Sequence, residues 1–452
     1  MEFIISHFLL KHHLDSSPDL EKLFNALEEA LQQGSSCLDL HHYAEKNQLS
    51  AGELVALTAI LHVDAKGSAV SSPGFETTTP LILTEGNLLY FQRYFFYETS
   101  IANKLKLVAL TNTSIQENSS STLLDKLFLE TNLAAGEIDL QKQAALTSLR
   151  KNLLILSGGP GTGKTTTVVK ILSLLRESDY FLHPDEVLLI APTGKAANRL
   201  SQSLQSGKSS IVQKNPELDE LAHSLPSEAS TIHRALGLGG TLKGAKFHQS
   251  NPLPQRLFVI DEASMIDLSL MHQLLLAIPN EAKVIILGDE NQLSSIQVGT
   301  IMADLIQISK QPSNPLVDCH VHLTKTFRNG GAIKEACDAL AIGKISQAIA
   351  QLQLESEDSN LRLEPLPSDL TKALTSLVHK HWLPILTNTT LSDSEKLTAL
   401  ETFKILCPTR NGTYGLYNVN STIETILQKA GVKTDHQYYT GKSVMVTRNN
   451  HE

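Results

Sequence analysis

The sequence has few cysteines, few aromatic residues and no long apolar runs. Only four cysteines occur among 452 residues, and aromatic residues make up 5% of the chain. Scattered cysteines argue against a disulfide framework or a cysteine-bound metal cluster, and they favour a reduced compartment. No apolar run approaches the ~18 residues that span a bilayer, and Glu2 stands where a signal peptide carries basic residues. We therefore expect a cytoplasmic protein with no membrane segment.

An excess of positive charge is also missing. The formal net charge is −9, with 38 basic against 47 acidic residues. No global field therefore draws the chain onto nucleic acid, and any such contact must lie in a local groove. The hydrophobic content of 41% is enough for ordinary buried cores. The length predicts about three domains of ~150 residues.

A glycine-rich segment follows an apolar strand and opens a helix, as a nucleoside-triphosphate P-loop requires. The residues predicted to hold the nucleotide are Gly158, Gly159, Pro160, Gly161, Thr162, Gly163, Lys164, Thr165 and Thr166. Glycine lets consecutive backbone N–H groups turn around phosphate oxygens, and the helix N-terminus adds positive potential. Lys164 is expected to reach the β- and γ-phosphates and Thr165 to ligate Mg²⁺. The segment predicts binding of ATP or GTP.

Further apolar strands are predicted at 187–191, 257–260 and 284–287, separated by helical segments. This alternation indicates an α/β fold with a parallel sheet covered by helices on both faces. Asp261 ends the second of these strands, and we place it at the tip of a strand neighbouring the P-loop strand, where it would hold Mg²⁺. Glu262 would accept the proton of the attacking water. The alternative for the two acids is a helix N-cap and a solvated side chain.

Two glutamines could contact the nucleotide. Gln292 follows the strand at 284–287 and could report on the γ-phosphate. Gln141 lies 23 residues before Lys164 at the start of a helix, and its amide could read the adenine edge. A surface glutamine is the alternative interpretation for Gln141.

Two segments suggest a path for a polynucleotide. Thr193 and Lys195 follow a strand and could hold backbone phosphates. Thr231 and His233 could do the same. A helix cap at Thr231, with Arg234 as a solvated charge, is an equally open interpretation.

The chain divides by composition into four parts. We predict a mainly helical N-terminal domain over 1–110 and a polar linker over 111–124. A first RecA-like domain is predicted over 125–318, interrupted by a Ser/Gln-rich surface insertion at about 201–230. An incomplete second RecA-like domain is predicted over 319–452, with a strand at 403–406 and the start of a small inserted barrel near 442–447.

Four segments, in this order, resemble the motifs of superfamily 1 helicases. Their residue sequences resemble those of the RecD family, the alpha chains of exodeoxyribonuclease V. They are the segments 158–165, 191–197, 260–267 and 287–293. The resemblance covers most of residues 80–449. It implies an ATP- and Mg²⁺-dependent motor that moves 5′→3′ on single-stranded DNA at double-strand ends. It further implies RecB-like nuclease–helicase and RecC-like partners.

The resemblance also assigns residues that the spacing alone does not. Arg328 becomes a γ-phosphate finger, and the segment 407–412 brings Arg410 to the DNA-binding residues.

Members of the family carry a further Ser/Thr-Val-His-Lys-Ser-Gln-Gly segment and an additional arginine, whereas this sequence stops at Glu452. We therefore expect this polypeptide alone to bind ATP but to be a poor motor. The competing hypothesis is a non-catalytic nucleotide-binding subunit. The His320-Val321-His322 pair is interpreted as structural rather than metal-binding.

Overall fold

The structure is a computed structural model that describes most of the chain. The described residues are 18–62, 70–71, 81–111, 121–128, 138–238, 244–292, 298–299, 301–326, 332–352, 361, 363–432, 434, 438–439, 442 and 444. They divide into two compact units, residues 1–344 and 345–452. No helix in the described part of the chain is long and apolar enough to cross a membrane.

The N-terminal region combines helices with a small mixed sheet. Its elements are α1 (Pro18–Gln32), β1 (Cys37–Asp39), α2 (Leu40–Lys46), α3 (Ala51–His62), β2 (Val70–Ser71), β3 (Leu81–Leu83), β4 (Leu88–Phe91) and α4 (Gln92–Leu110). The strands lie in the order β1-β4-β3-β2. Leu23 and Leu27 of α1 pack against Leu81 and Leu89 of the sheet. The helices match the predicted character of this region, whereas the sheet was not predicted.

The larger part of the first unit is a three-layer α/β structure. Its elements are α5 (Ser121–Phe128), α6 (Leu140–Arg150), β5 (Leu153–Gly158), α7 (Lys164–Glu177), β6 (Val187–Ala191), α8 (Gly194–Lys214), α9 (Asp219–His223), β7 (Ser230–Thr231), α10 (Ile232–Leu236), β8 (Leu257–Ile260), α11 (Leu268–Ala277), β9 (Lys283–Gly288), α12 (Ile301–Ser309), β10 (His320–Leu323) and α13 (Ala332–Ala341). The six strands are all parallel, in the order β10-β5-β9-β8-β6-β7. This confirms the predicted RecA-like sheet.

Alternate residues of each strand face opposite cores, because side chains of a strand point alternately to its two faces. Ile155 and Ile286 pack in one core with α4, α11 and α12. Leu156 and Leu287 pack in the other core with α6, α7 and α8. Both faces of the sheet are therefore covered, which explains why β6 and β8 are apolar at every position.

Three boundaries drawn from the sequence differ from the structure. Residues 121–124 of the predicted linker belong to α5, whose Leu123 and Leu124 are buried in the core. The predicted surface insertion at 201–230 is largely α8 and α9, and α8 buries Leu204 and Ile211. Strand β10 pairs with β5 in the first sheet, so a domain boundary at 318 would cut that sheet. In each case long-range packing overrode a local polar signal.

Helix α4 belongs to the core of the main sheet. Its Ile101, Leu105 and Val108 are buried with the strands of that sheet. Tyr90, just before α4, is buried, and Tyr94 and Tyr97 at the start of α4 pack partly buried against this core, whereas Phe96 is exposed. The predicted end of the N-terminal domain at residue 110 therefore follows a helix that packs with the α/β layers.

The second unit is helical in its described residues. Its elements are α14 (Ile345–Leu352), α15 (Leu370–His381), α16 (Leu383–Thr387), α17 (Asp393–Leu400) and α18 (Leu416–Lys429). Leu374 and Val378 of α15 pack against Ile423 and Leu427 of α18. Residues 403–406 are not a strand, which corrects the prediction. Most of the segment predicted to begin a barrel lies outside the described residues.

Candidate nucleotide site

The loop between β5 and α7 has the backbone conformation that its glycines allow. Gly161 and Gly163 adopt φ of 77° and 85°, in the left-handed region that side chains disfavour. A Cβ on Gly158 would lie 2.7 Å from the carbonyl oxygen of Leu323 at the end of β10. The Thr162 hydroxyl donates to the Gly159 carbonyl at 2.9 Å. The loop is therefore fixed by its own hydrogen bonds and by close packing on β10.

Lys164, the first residue of α7, turns back over the loop. Its Nζ donates to the carbonyl oxygens of Gly158 and, at 3.1 Å, Gly159. Gln141, near the start of α6, reaches the same loop, where its Nε2 donates to the Thr162 carbonyl at 3.4 Å. Both side chains therefore lie against the loop that the sequence predicted to bind phosphate.

Asp261 and Glu262 follow β8, and β9 lies between β8 and the P-loop strand β5. The prediction that the strand of Asp261 neighbours the P-loop strand was therefore wrong by one strand. Burial raises the pKa of the Asp261 carboxyl to about 6, while the Glu262 backbone N–H bonded to it, at 2.9 Å, opposes the rise. Lys164 also lowers this pKa, so the two side chains lie within electrostatic reach.

Glu262 has an unusual backbone conformation. Its φ of 51° places a non-glycine residue in the left-handed region, directly before a 3₁₀ turn at Ala263–Met265. Such a conformation costs of order 1–3 kcal/mol and persists only where the surroundings fix it. Strained residues of this kind concentrate at functional sites, which fits the predicted role of this carboxylate.

Gln292 is held by a neighbour that the sequence analysis did not single out. Its Nε2 donates to Asp289 Oδ2 at 3.2 Å, and Asp289 Oδ1 accepts the backbone N–H of Asn291 at 3.0 Å. Asp289 is 3% exposed. Because its position is fixed by burial, Asp289 limits the orientations open to the Gln292 amide.

One cavity of about 1630 Å³ brings the predicted nucleotide residues together. Those of its lining residues that the sequence predicted are Gln141, Pro160, Gly161, Thr162, Gly163, Lys164, Thr165, Thr166, Thr193, Lys195, Asp261, Glu262 and Gln292. Thr165 and Asp261 supply hydroxyl and carboxylate oxygens, the donors that Mg²⁺ prefers. The cavity therefore brings together the glycine-rich loop, the Lys164 ammonium and the oxygen donors of Thr165 and Asp261.

Other predicted residues lie elsewhere. Thr231 ends β7, at the opposite edge of the sheet from β10, and its hydroxyl accepts the Arg234 N–H at 3.2 Å as a helix cap. His233 is exposed on α10. Arg410 is exposed in the second unit. Arg328 lies outside the described residues, so the structure says nothing of the proposed finger.

The histidine pair of β10 makes hydrogen bonds to serines. Ser157 Oγ contacts His320 Nε2 at 2.8 Å and His322 Nδ1 at 2.7 Å, and Ser309 Oγ contacts His320 Nδ1 at 2.9 Å. Burial, with smaller contributions from His322 and Lys310, lowers the pKa of His320 to about 4. Among the described residues no cluster of three metal-ligating side chains exists. The pair therefore joins β10 to β5 and α12 through hydrogen bonds.

Sequence reasoning missed two features of α8. Thr193 caps this helix by accepting the Ala196 N–H at 3.2 Å, and its hydroxyl hydrogen can still be donated to a ligand. Arg199, one turn after Lys195, also lines the cavity. The four-residue spacing of the two cations on a predicted helix could have revealed Arg199, because residues at i and i+4 share one helix face.

Comparisons with known proteins show what this chain is similar to. A family model described as an AAA domain matches residues 141–298. The RecBCD enzyme subunit RecD of Haemophilus influenzae is 27% identical, and the match covers 93% of this chain and 74% of that protein. The subunit of the same name from Mycolicibacterium smegmatis is 29% identical, with 93% of this chain and 72% of that protein covered.

Shorter matches include other helicases. An ATP-dependent RecD2 DNA helicase of Deinococcus radiodurans is 36% identical over 34% of this chain and 18% of that protein. A crystal structure of the Pif1 helicase from Candida albicans matches with a TM-score of 0.31 and 17% identity, covering 60% of this chain and 62% of that one. The long sequence matches confirm the resemblance to the RecD family of superfamily 1 helicases that the motifs predicted.

Proposed function

We propose that this chain is an ATP-dependent DNA translocase that moves 5′→3′ as the RecD-type subunit of an exodeoxyribonuclease V complex. It would act at double-strand DNA ends in recombinational repair, in the cytoplasm, with RecB-like and RecC-like partners. DNA cleavage would belong to a partner. The observation that carries the proposal is the single cavity shared by the P-loop, Asp261, Glu262 and Gln292. The similarity to RecD subunits over 93% of this chain supports the same assignment.

ATP would lie along the loop, with its phosphates at the N-terminus of α7. The loop N–H groups and the Lys164 ammonium would hold the β- and γ-phosphates, and Gln141 would contact the adenine. Thr165 and Asp261 would hold Mg²⁺, which neutralises phosphate charge when bound. The hydrogen bonds from Lys164 to Gly158 and Gly159 place its ammonium over the loop before any ligand binds.

Glu262 would serve as the general base for hydrolysis. Its carboxylate lines the cavity beside Asp261, and its left-handed backbone fixes where the side chain leaves the main chain. It would accept a proton from the water that attacks the γ-phosphate. Gln292, held by Asp289, would contact the same phosphate and distinguish ATP from ADP.

Single-stranded DNA would be gripped through local contacts, because the chain as a whole is acidic. Thr193 and Lys195 stand at the start of α8 and would bind backbone phosphates. Melting one base-pair step costs about 1.4 kcal/mol of stacking, so unwinding requires coupling to ATP hydrolysis. Roles for Thr231 and His233 stay predictions from the sequence, and those for Arg328 and Arg410 stay predictions from the resemblance.

The decisive test measures ATP hydrolysis of the full chain, alone and with its partner subunits, with and without single-stranded DNA. We expect DNA-stimulated hydrolysis that a Lys164→Gln variant loses by at least ~100-fold. ATP binding by the wild-type complex without any hydrolysis dependent on Lys164 would instead support the non-catalytic subunit. Absence of ATP binding would contradict both the translocase hypothesis and the hypothesis of a non-catalytic nucleotide-binding subunit.

A further inference from the structure

Two cations that line the cavity, Lys195 and Arg199, make no hydrogen bond or ion pair with other side chains in the part of the chain that the structure describes. Among the residues that the structure describes, none accepts a hydrogen bond from the Arg199 guanidinium or forms an ion pair with it. Other basic residues of the same wall are engaged: Lys126 pairs with Glu217 at 3.0 Å, and Lys170 lies over the Phe128 ring at 4.3 Å. Lys164 donates to the loop carbonyls. Arg199 is therefore an unengaged cation beside a site that must bind polyphosphate.

Arg199 lies on an element next to the predicted site of the γ-phosphate. β6 and β8 are adjacent, and the backbone N–H of Asp261 donates to the Ile190 carbonyl at 2.8 Å. Helix α8 follows β6 and packs against the P-loop helix α7, so it stands on the side of the sheet where the loop lies. Arg199 lines the same cavity as Lys164, Thr165 and Asp261. It therefore shares this cavity with the predicted Mg²⁺ ligands and with the lysine predicted to bind the γ-phosphate.

We propose that Arg199 is a catalytic residue that contacts the γ-phosphate from within the first unit and stabilises the charge of the transition state. This inference rests on the proposed ATPase function and deepens it. In the reaction the water oxygen bonds to the γ-phosphorus, and the bond to the β–γ bridging oxygen breaks with its electron pair left on ADP. The water proton passes to Glu262. The planar guanidinium suits equatorial phosphate oxygens, which it can bind through two N–H groups at once.

The test compares a transition-state analogue with a ground-state ligand. We expect Arg199→Ala to lower kcat about 100-fold or more, with little change in KM. Its affinity for ADP with aluminium fluoride and Mg²⁺ should fall by a similar factor, while its affinity for ADP alone changes less than about twofold. Arg199→Lys should recover only part of kcat, because a lysine cannot make the bidentate contact.

Arg256→Ala is the matched control. Arg256 precedes β8, at the opposite end of the strand from Asp261, and its guanidinium pairs with Glu186 at 3.5 Å. We expect this variant to keep both kcat and analogue affinity. An Arg199→Ala enzyme with wild-type kcat and analogue affinity would overturn the proposal. Equal losses of ADP and analogue affinity would also overturn it, since they indicate ground-state binding. Absence of hydrolysis in the wild type would contradict the proposed function itself.

Discussion

Gly158 shows how a single residue of the loop depends on a distant strand. The loop glycines differ in what a side chain would meet: a Cβ at Gly158 would lie 2.7 Å from the Leu323 carbonyl oxygen, whereas a Cβ at Gly159 has no atom within 4 Å. Local sequence gives both positions the same glycine. Only the pairing of β10 with β5 separates them.

We therefore predict that Gly158→Ala lowers the free energy of unfolding by about 1–3 kcal/mol, because backbone must shift to admit the methyl group. Gly159→Ala should change it by less than about 0.5 kcal/mol. Urea denaturation followed by circular dichroism measures both. Equal effects of the two substitutions would contradict the packing argument.

At the scale of elements, β9 begins with a buried lysine in the centre of the sheet. Lys283 is 0% exposed, and its Nζ donates to the carbonyls of Lys151 and, at 2.5 Å, Ser148. These bonds tie the start of β9 to the end of α6. Burial lowers the pKa of Lys283 to about 7. These hydrogen bonds are thus donated by an ammonium group whose charged form is destabilised by burial in the folded state.

This lysine predicts a rise of stability with pH. Between the folded pKa of about 7 and the unfolded value of about 10.4, the unfolded state binds the extra proton. The free energy of unfolding therefore increases with pH in that window, by up to about 1.4 kcal/mol per pH unit, and the penalty is complete below it. Lys283→Met cannot titrate, so the difference between wild type and variant isolates the effect. In urea titrations from pH 6 to pH 10, the free energy of unfolding of the wild type should rise relative to that of the variant. A difference that stays constant with pH would contradict the prediction.

At the scale of the whole molecule, the acidic net charge confines DNA binding to local cations. Each phosphate contact of a single strand contributes about −0.7 to the slope of log K against log salt concentration. We expect Lys195→Ala to make this slope shallower by about 0.7. Lys46→Ala, which changes an exposed residue at the end of α2, should leave the slope unchanged. Fluorescence anisotropy with a labelled oligonucleotide at several salt concentrations measures the slopes, and identical slopes in all three proteins would exclude Lys195 from the contact.

The sequence by itself determined the local features of this protein. The glycines of the loop, the apolar strands and the acidic pair after β8 follow from residue type and short spacing, which act over a few residues. Tertiary structure decided which strands and which side chains are neighbours. It placed β9 between β5 and β8, joined β10 to the sheet through Ser157 and brought Arg199 to the cavity that Asp261 also lines. Strand order and side-chain neighbours depend on packing between residues far apart in the chain, which no local pattern encodes.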